Sequence, residues 1–397
     1  MVTSLPEGRR PGATSPPVAS TPDGGAAPRP VRAPGRHLPC PRPPARGPVS
    51  SFVLEHFATP PHPLPAWPTP QDDPLEGDDT HLALYLIYEL TYRGVEGVDE
   101  RWEWDPDLLR LRAELEDRFT RALEEAVGPL PDVDDVVAFL QELCSDDLEA
   151  PPGGDADDAS VSRWCETDGT LLHLREQAIH RTAWQLKEAD PHSWAIPRLG
   201  GRPKAALVDI QADEYGDGVD EDVHAELYAL TLERLGLRAE PNHYLDLLPG
   251  VTLATVNLVS MFGLHRRWLG ALVGHLAVFE MSSVTTMARY GAALRRLDLD
   301  PWTCLFYDTH VVADATHQSI AARDLAGGLV EQEPRRLQDV VFGALALCAL
   351  EGRFTELVLG AWGRGESSLR GPFRAVDPPP GRSGVHVPAD DPRVPSV

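Results

Sequence analysis

The chain has 397 residues, 42% of them hydrophobic, and carries 36 Lys and Arg against 61 Asp and Glu, a formal net charge of −25 at pH 7. Such a length and apolar content suffice for one large or two ordinary domains with a real core, while the acidic balance excludes general binding to nucleic acid, which needs a basic face to neutralise phosphates. The five cysteines Cys40, Cys144, Cys165, Cys304 and Cys348 form no C-x-x-C pair, as expected of buried thiols in a reducing compartment. With neither a signal-type segment nor about 18 uninterrupted apolar residues, the sequence reads as cytoplasmic, with no membrane and no nucleic acid among its partners and a homodimer left open.

Residues 1–73 are rich in Pro, Arg, Ala and Gly, as in PRPVRAPGRHLPCPRPPARGP, and the composition predicts a disordered tail. An N-terminal helical portion follows over 74–145. Apolar residues recur at three- and four-residue steps in 78–95 and 106–127, and a shorter helix is expected over 134–144. The acidic, Gly/Pro-rich stretch CSDDLEAPPGGDADDAS marks a linker at 146–160. A second helical block spans 161–370, and 371–397 reads as a disordered C-terminal tail.

Within that block, TLLHLREQAIHRTAWQLKEADPHSW predicts a helix running to Glu188 or slightly beyond, stopped by Pro191. The stretch IQADEYGDGVDEDVHAELYALTLERLGL starts acidic and glycine-broken and becomes a regular helix near His224. Glu280 intrudes into the apolar helix LHRRWLGALVGHLAVFEMSSV, where an unpaired carboxylate is costly. In FYDTHVVADATHQSI, residues 306–320, Asp314 lies about 40° from His310 around a helix and His317 about 20° on the other side. The intervening Val311, Val312 and Ala315 suggest packing on this helix, so that the polar face needs a compensating partner. Two imidazoles and a carboxylate suit iron, manganese or zinc.

Taken singly, Glu188 reads as a helix-end charge, His224 as a core histidine and Glu280 as an amphipathic edge. Four helices each carrying a carboxylate or imidazole instead suggest a dinuclear metal centre inside a helical bundle. Two constructions are open. A ferritin-like one pairs Glu221-x-x-His224 with Asp314-x-x-His317, adds Glu188 and Glu280, and leaves His310 idle. The other uses Glu188, Glu214, His224, Glu280, His310, Asp314 and His317. Spacing on a regular helix favours Glu221 beside His224, while the aspartates flanking Glu221 favour a solvated position for it.

The H-x3-D-x2-H helix, preceded by a Glu helix, a Glu ten residues before a His, and another Glu, resembles the haem-oxygenase-like di-iron oxidases. The strings LKEADPHSWAIPRL, IQADEYGDG, FGLHRRWLGALVGHLAVFEM and HVVADATH look like the branch of iron-containing redox enzymes. The resemblance covers about residues 165–350. It implies an all-α, haem-oxygenase-like seven-helix bundle without haem, here with additional N-terminal helices and disordered tails. It also implies two iron ions (Fe2+), O2 as co-substrate and a small-molecule substrate that is oxidised, often in a biosynthetic pathway, by N-oxygenation or oxidative C–C cleavage. By position it favours Glu214 over Glu221 and makes the seven residues of the second construction the metal ligands. Three alternatives compete: a ferritin-like iron-binding protein, a haem-binding oxygenase with His173 or His180 as axial ligand, and an inert helical interaction protein. Tyr215, Trp184 and Phe306 are candidate pocket residues.

Overall fold

In the computed structural model, residues 38–145 and 160–375 are described; the linker expected at 146–160, save Ser160, and the C-terminal tail beyond 375 lie outside them. Among the described residues the secondary structure is helical, and the one β-type contact is an isolated parallel bridge between Cys40 and Val95. The N-terminal half contributes α1 (Pro48–His56), α2 (Asp78–Glu89), α3 (Pro106–Val127) and α4 (Val136–Leu143). After Ser160 come α5 (Val161–Thr167), α6 (Leu171–Gln185), the single turn α7 (Asp190–Ser193), α8 (Gly201–Glu214), α9 (His224–Arg234) and α10 (Gly250–Leu264). The chain ends with α11 (Leu269–Arg296), α12 (Pro301–Ser319), α13 (Gly328–Gln332) and α14 (Leu337–Gly363), with a π-helical stretch, Ile320–Gly327, between α12 and α13.

Local chemistry explains the ends of these elements. The Asp105 carboxylate accepts from the backbone N–H groups of Asp107 and Leu108, Pro106 fills the first turn, and Gly128 ends α3 at φ 71°. Asp135 caps α4 in the same manner, and Thr170 caps α6 by accepting from the His173 N–H. In the middle of the fold α11 packs against α12 on one side and α14 on the other, while α2 lies against α10 and α3 against α14. The segment Arg266–Arg296 is long and apolar enough to cross a membrane by length and composition, but 61% of that apolar window is buried against these neighbours.

One continuous hydrophobic core runs from Cys40 through α2, α3, α6 and α10 to α14. This corrects the expected tail over 1–73 for its described portion. Val49 and Val53 of α1 and Phe57 just after it are buried, and Asp79 of α2 accepts from the N–H groups of Val49 and Ser50, at 2.8 and 2.7 Å, and from the Ser50 hydroxyl at 2.6 Å. A low density of apolar residues hid a short helix whose few large side chains all face inward.

Candidate metal centre

Five elements of structure converge on a buried polar cluster. Glu188 stands in the turn after α6, which ends at Gln185 and so stops short of the residue expected to close it. Glu214 is the last residue of α8, which ends just before the glycines expected to loosen the chain, and His224 is the first of α9. Between them the chain doubles back through Gly216, Asp217 and Gly218, with φ of 64°, 51° and 86°. A Cβ at Gly216 would sit 2.6 Å from the Asp222 carbonyl carbon and the Val223 nitrogen, so this reversal requires glycine. Glu280 projects from mid-α11, and His310, Asp314 and His317 from one face of α12.

All seven side chains are buried. Glu188, Glu214, His224 and His310 form one group, and Glu280, Asp314 and His317 a second, each with a donor atom from every member within 4.8 Å of the others. His224 Nδ1 lies 3.1 Å from Glu214 Oε2, His310 Nε2 3.5 Å from Glu188 Oε2, and the His224 and His310 ring centroids are 4.4 Å apart. His317 Nδ1 is 3.3 Å from Glu280 and 3.6 Å from Asp314. The structure thus brings together every residue of the second construction, including His310. Glu221 is exposed, in the 3-10 turn before α9, and outside both groups.

On α12 the expected pattern is inverted. Val312 and Ala315, read as packing residues, are exposed, whereas His310, Asp314 and His317 are buried. The polar stripe is the face turned to the core, and it brings little with which to satisfy itself. Glu214 Oε2, His224 Nδ1, Glu280 Oε2, His310 Nε2, Asp314 Oδ2 and His317 Nδ1 are all buried without a well-formed hydrogen bond. A set of orphaned donors of this density is costly unless something else binds it.

The neighbours are arranged to aim these groups. His310 Nδ1 donates to the Phe306 carbonyl at 2.9 Å, leaving the Nε2 lone pair toward the cluster. Gln185, with its amide nitrogen turned inward, donates to both Glu188 oxygens at 2.6 and 2.7 Å, and Ser283 hydrogen-bonds Asp314. Gln211 donates to the Ala189 carbonyl and the Ser193 hydroxyl, tying α8 to the turn that carries Glu188. Sequence reasoning missed these supports and also Asp213, whose Oδ2 lies near His224 and His317. The available signals were proximity alone, since Gln185 is one helical turn before Glu188 and Asp213 adjoins Glu214.

Burial dominates the protonation of the metal-free cluster. It pushes Glu214 up to about 7 and Glu280 up to about 8, raises Glu188 with the help of the Glu214 charge, and lowers His224 to about 4. Against burial, Asp314 and Glu280 push His317 up to about 10, Glu188 holds His310 above its ordinary value, and His317 with His310 hold Asp314 below its own. The residues fit a pair of divalent cations. When ionised, the four carboxylates of Glu188, Glu214, Glu280 and Asp314 balance two such ions, and seven nitrogen and oxygen donors exceed what one first-row metal ion accepts.

Two cavities adjoin the cluster. The nearer, of about 370 Å³ including its mouth, is walled by Trp184, His192, Leu276 and Phe279 together with Glu188, Glu214, Glu280, His310 and Asp314. Phe279, Ser283 and Met287 also border a larger chamber of about 630 Å³, including its mouth, lined by Tyr228, Tyr290, Phe306 and Tyr307. Of the expected pocket residues, Trp184 and Phe306 line these spaces, whereas Tyr215 is exposed and hydrogen-bonds Asp190 and Ser193 outside them. The histidines suggested as haem ligands are engaged elsewhere. His180 bonds Thr252 and Ser368 through its two nitrogens, and His173 stacks on Trp362 with Nδ1 facing the Trp164 N–H.

Buried carboxylates and imidazoles gathered between core helices are a donor set of the kind from which helical bundles build metal centres. Residues 175–352, which include all seven cluster residues, match the family of iron-containing redox enzymes. The chain is also similar to a nitrosourea synthase of Streptomyces achromogenes subsp. streptozoticus, 27% identical over 146 residues, which are 37% of this chain and 31% of that one.

Proposed function

We propose that the protein is a non-haem di-iron oxidase that uses O2 to oxidise a nitrogen-bearing small molecule, as a biosynthetic step. The observation that carries this reading is the convergence of seven buried donor residues from five elements of structure, six of them with an unsatisfied atom. Glu188, Glu214, His224 and His310 would hold one iron and Glu280, Asp314 and His317 the other. Bound in the reduced state, the two irons would supply the electrons and Lewis acidity for reducing O2 beside the substrate.

The protein's own part is positional. Trp184, Leu276 and Phe279 wall the cluster's cavity with apolar surface, and Gln185 and Ser283 hydrogen-bond the carboxylates of Glu188 and Asp314. The larger chamber offers the substrate an aromatic wall, with the paired Arg181 and Glu351, 2.7 Å apart, as its charged end. Nitrogen oxidation is taken from the name of the nitrosourea synthase relative, whose product class contains an N–N=O group; the match covers under a third of that protein.

Anaerobic Fe(II) titration of the full chain should reach close to two irons, and His310→Ala should lose at least one. Oxygen uptake by the loaded protein should be accelerated by amine-bearing candidate substrates. Retention of both irons with unchanged affinity in His310→Ala would favour the ferritin-like construction instead. Stoichiometric haem binding with no reaction of the iron form with O2 would remove the oxidase reading.

A further inference from the structure

His224 and His317 belong to different groups of the cluster, yet they share a geometry. Each turns Nδ1 inward, His224 to within 3.1 Å of Glu214 and His317 to within 3.3 Å of Glu280. Each turns Nε2 outward, and the two outward nitrogens face one atom, Asp213 Oδ2, at 4.0 and 3.7 Å. That oxygen is itself buried and has no hydrogen-bond partner, although the Asp213 side chain is 38% exposed. The third imidazole is already oriented, since its outer nitrogen bonds the Phe306 carbonyl.

A histidine that binds a metal through one nitrogen needs its other N–H held by an acceptor, which fixes the tautomer and raises the basicity of the coordinating lone pair. We propose that Asp213 is the shared positioning carboxylate of the two histidines, accepting both Nε2–H groups through one oxygen so that the two halves of the metal centre are oriented together. This rests on the di-metal reading above and extends it to a residue outside the seven. The placement follows from the chain. Asp213 and Glu214 are consecutive on the last turn of α8, about 100° apart around the axis, so one carboxylate points into the cluster while the other backs the histidine rings. The remaining gap to hydrogen-bond distance is roughly 1 Å, within reach of a side-chain rotation on a partly exposed residue. Asp213 is then a positioning residue, and its removal should act on both metals at once.

The test uses the full chain with Zn(II), a diamagnetic probe, in calorimetric titration and in nitrogen-15 spectra of the imidazoles. Wild-type protein should bind two Zn(II), with Nδ1 of His224 and His317 coordinated and both Nε2–H protons present. Asp213→Ala should weaken both sites by about 10- to 100-fold, and Asp213→Asn, which keeps an acceptor oxygen, should weaken them less. The metal-free Asp213→Ala protein should unfold at the same denaturant concentration as wild type. Loss at one site alone, coordination through Nε2, or destabilisation of the metal-free variant in place of lost affinity would each overturn the assignment. Two-site binding unaffected by Asp213→Ala overturns the role of Asp213 and leaves the metal reading standing; wild-type protein that takes up neither Zn(II) nor Fe(II) overturns the metal reading itself.

Discussion

Glu214 reaches His224 through a chain reversal that no helical wheel contains. On a continuous helix the three-residue step from Glu221 would be the better pairing, at about 60° against about 80°. The positive φ angles at 216–218 end that helix, leave Glu221 exposed among aspartates and fold Glu214 back to 3.1 Å from the imidazole. Glu214→Ala should therefore abolish binding of one of the two irons, whereas Glu221→Ala should change either affinity by less than about threefold, under roughly 1 kcal/mol. Paired Fe(II) titrations of the two variants decide this, and the opposite ranking would move the site to the shorter spacing. The α12 triad was easier to read. His310, Asp314 and His317 lie on one unbroken helix, where a fixed 100° step determines which side chains share a face, although that step does not say which face is buried.

At the scale of elements, α3 is legible from end to end because an Asp cap, a first-turn proline and a terminal glycine frame a strongly periodic run. Helices α10 and α14 are not individually legible, since helices buried nearly all round lose the apolar stripe that would delimit them. What joins α11 to α14 is also invisible in a single segment. Gly274 and Gly343 let the backbones touch: a Cβ at Gly343 would lie 2.0 Å from the Ala271 carbonyl oxygen, and one at Gly274 equally close to that of Val340. Gly343→Ala should thus destabilise the fold by about 1–3 kcal/mol, as overpacking does, measured as a lower urea midpoint at unchanged slope. The turn carrying Glu188 is held from behind by α2 and the residues just after it. Lys187 pairs with the buried Glu89 and lies over the rings of Tyr85 and Tyr92, while Arg93 donates to the Leu186 carbonyl at 3.0 Å. Lys187→Met should cost roughly 3–5 kcal/mol by stranding the Glu89 charge, and adding Glu89→Leu should recover part of it; equal midpoints for the single and double variants would show that the pair is not the brace.

Taken as a whole, the molecule is a single core to which the segment before residue 58 contributes, and a cluster whose charge state is linked to folding. Deleting residues 1–58 removes buried Val49, Val53 and Phe57, each worth about 1.5–3 kcal/mol, and strips Asp79 of three hydrogen bonds, so the urea midpoint should drop markedly; an unchanged midpoint would return the segment to the status of a tail. The linkage to pH follows from Glu214, Glu280 and His317, whose folded values stand at about 7, 8 and 10, above the ordinary 4.5, 4.5 and 6.5. Between pH 6.5 and about 8.5 the folded protein retains protons that the unfolded chain has lost, so the unfolding free energy must fall as pH rises. The depressed His224, at about 4, contributes a dependence of opposite sign, confined to pH below 6.5, because above that it is neutral in both states. With chelator present, the melting temperature should therefore decline steadily from pH 6.5 to 8.5. With two equivalents of Zn(II) the decline should vanish or reverse, because cations replace those protons and bind more tightly as the competing protons become scarce. A melting temperature that is flat over this range in chelator, and unaffected by Zn(II), would mean that the seven side chains neither share protons in the folded protein nor exchange them for metal.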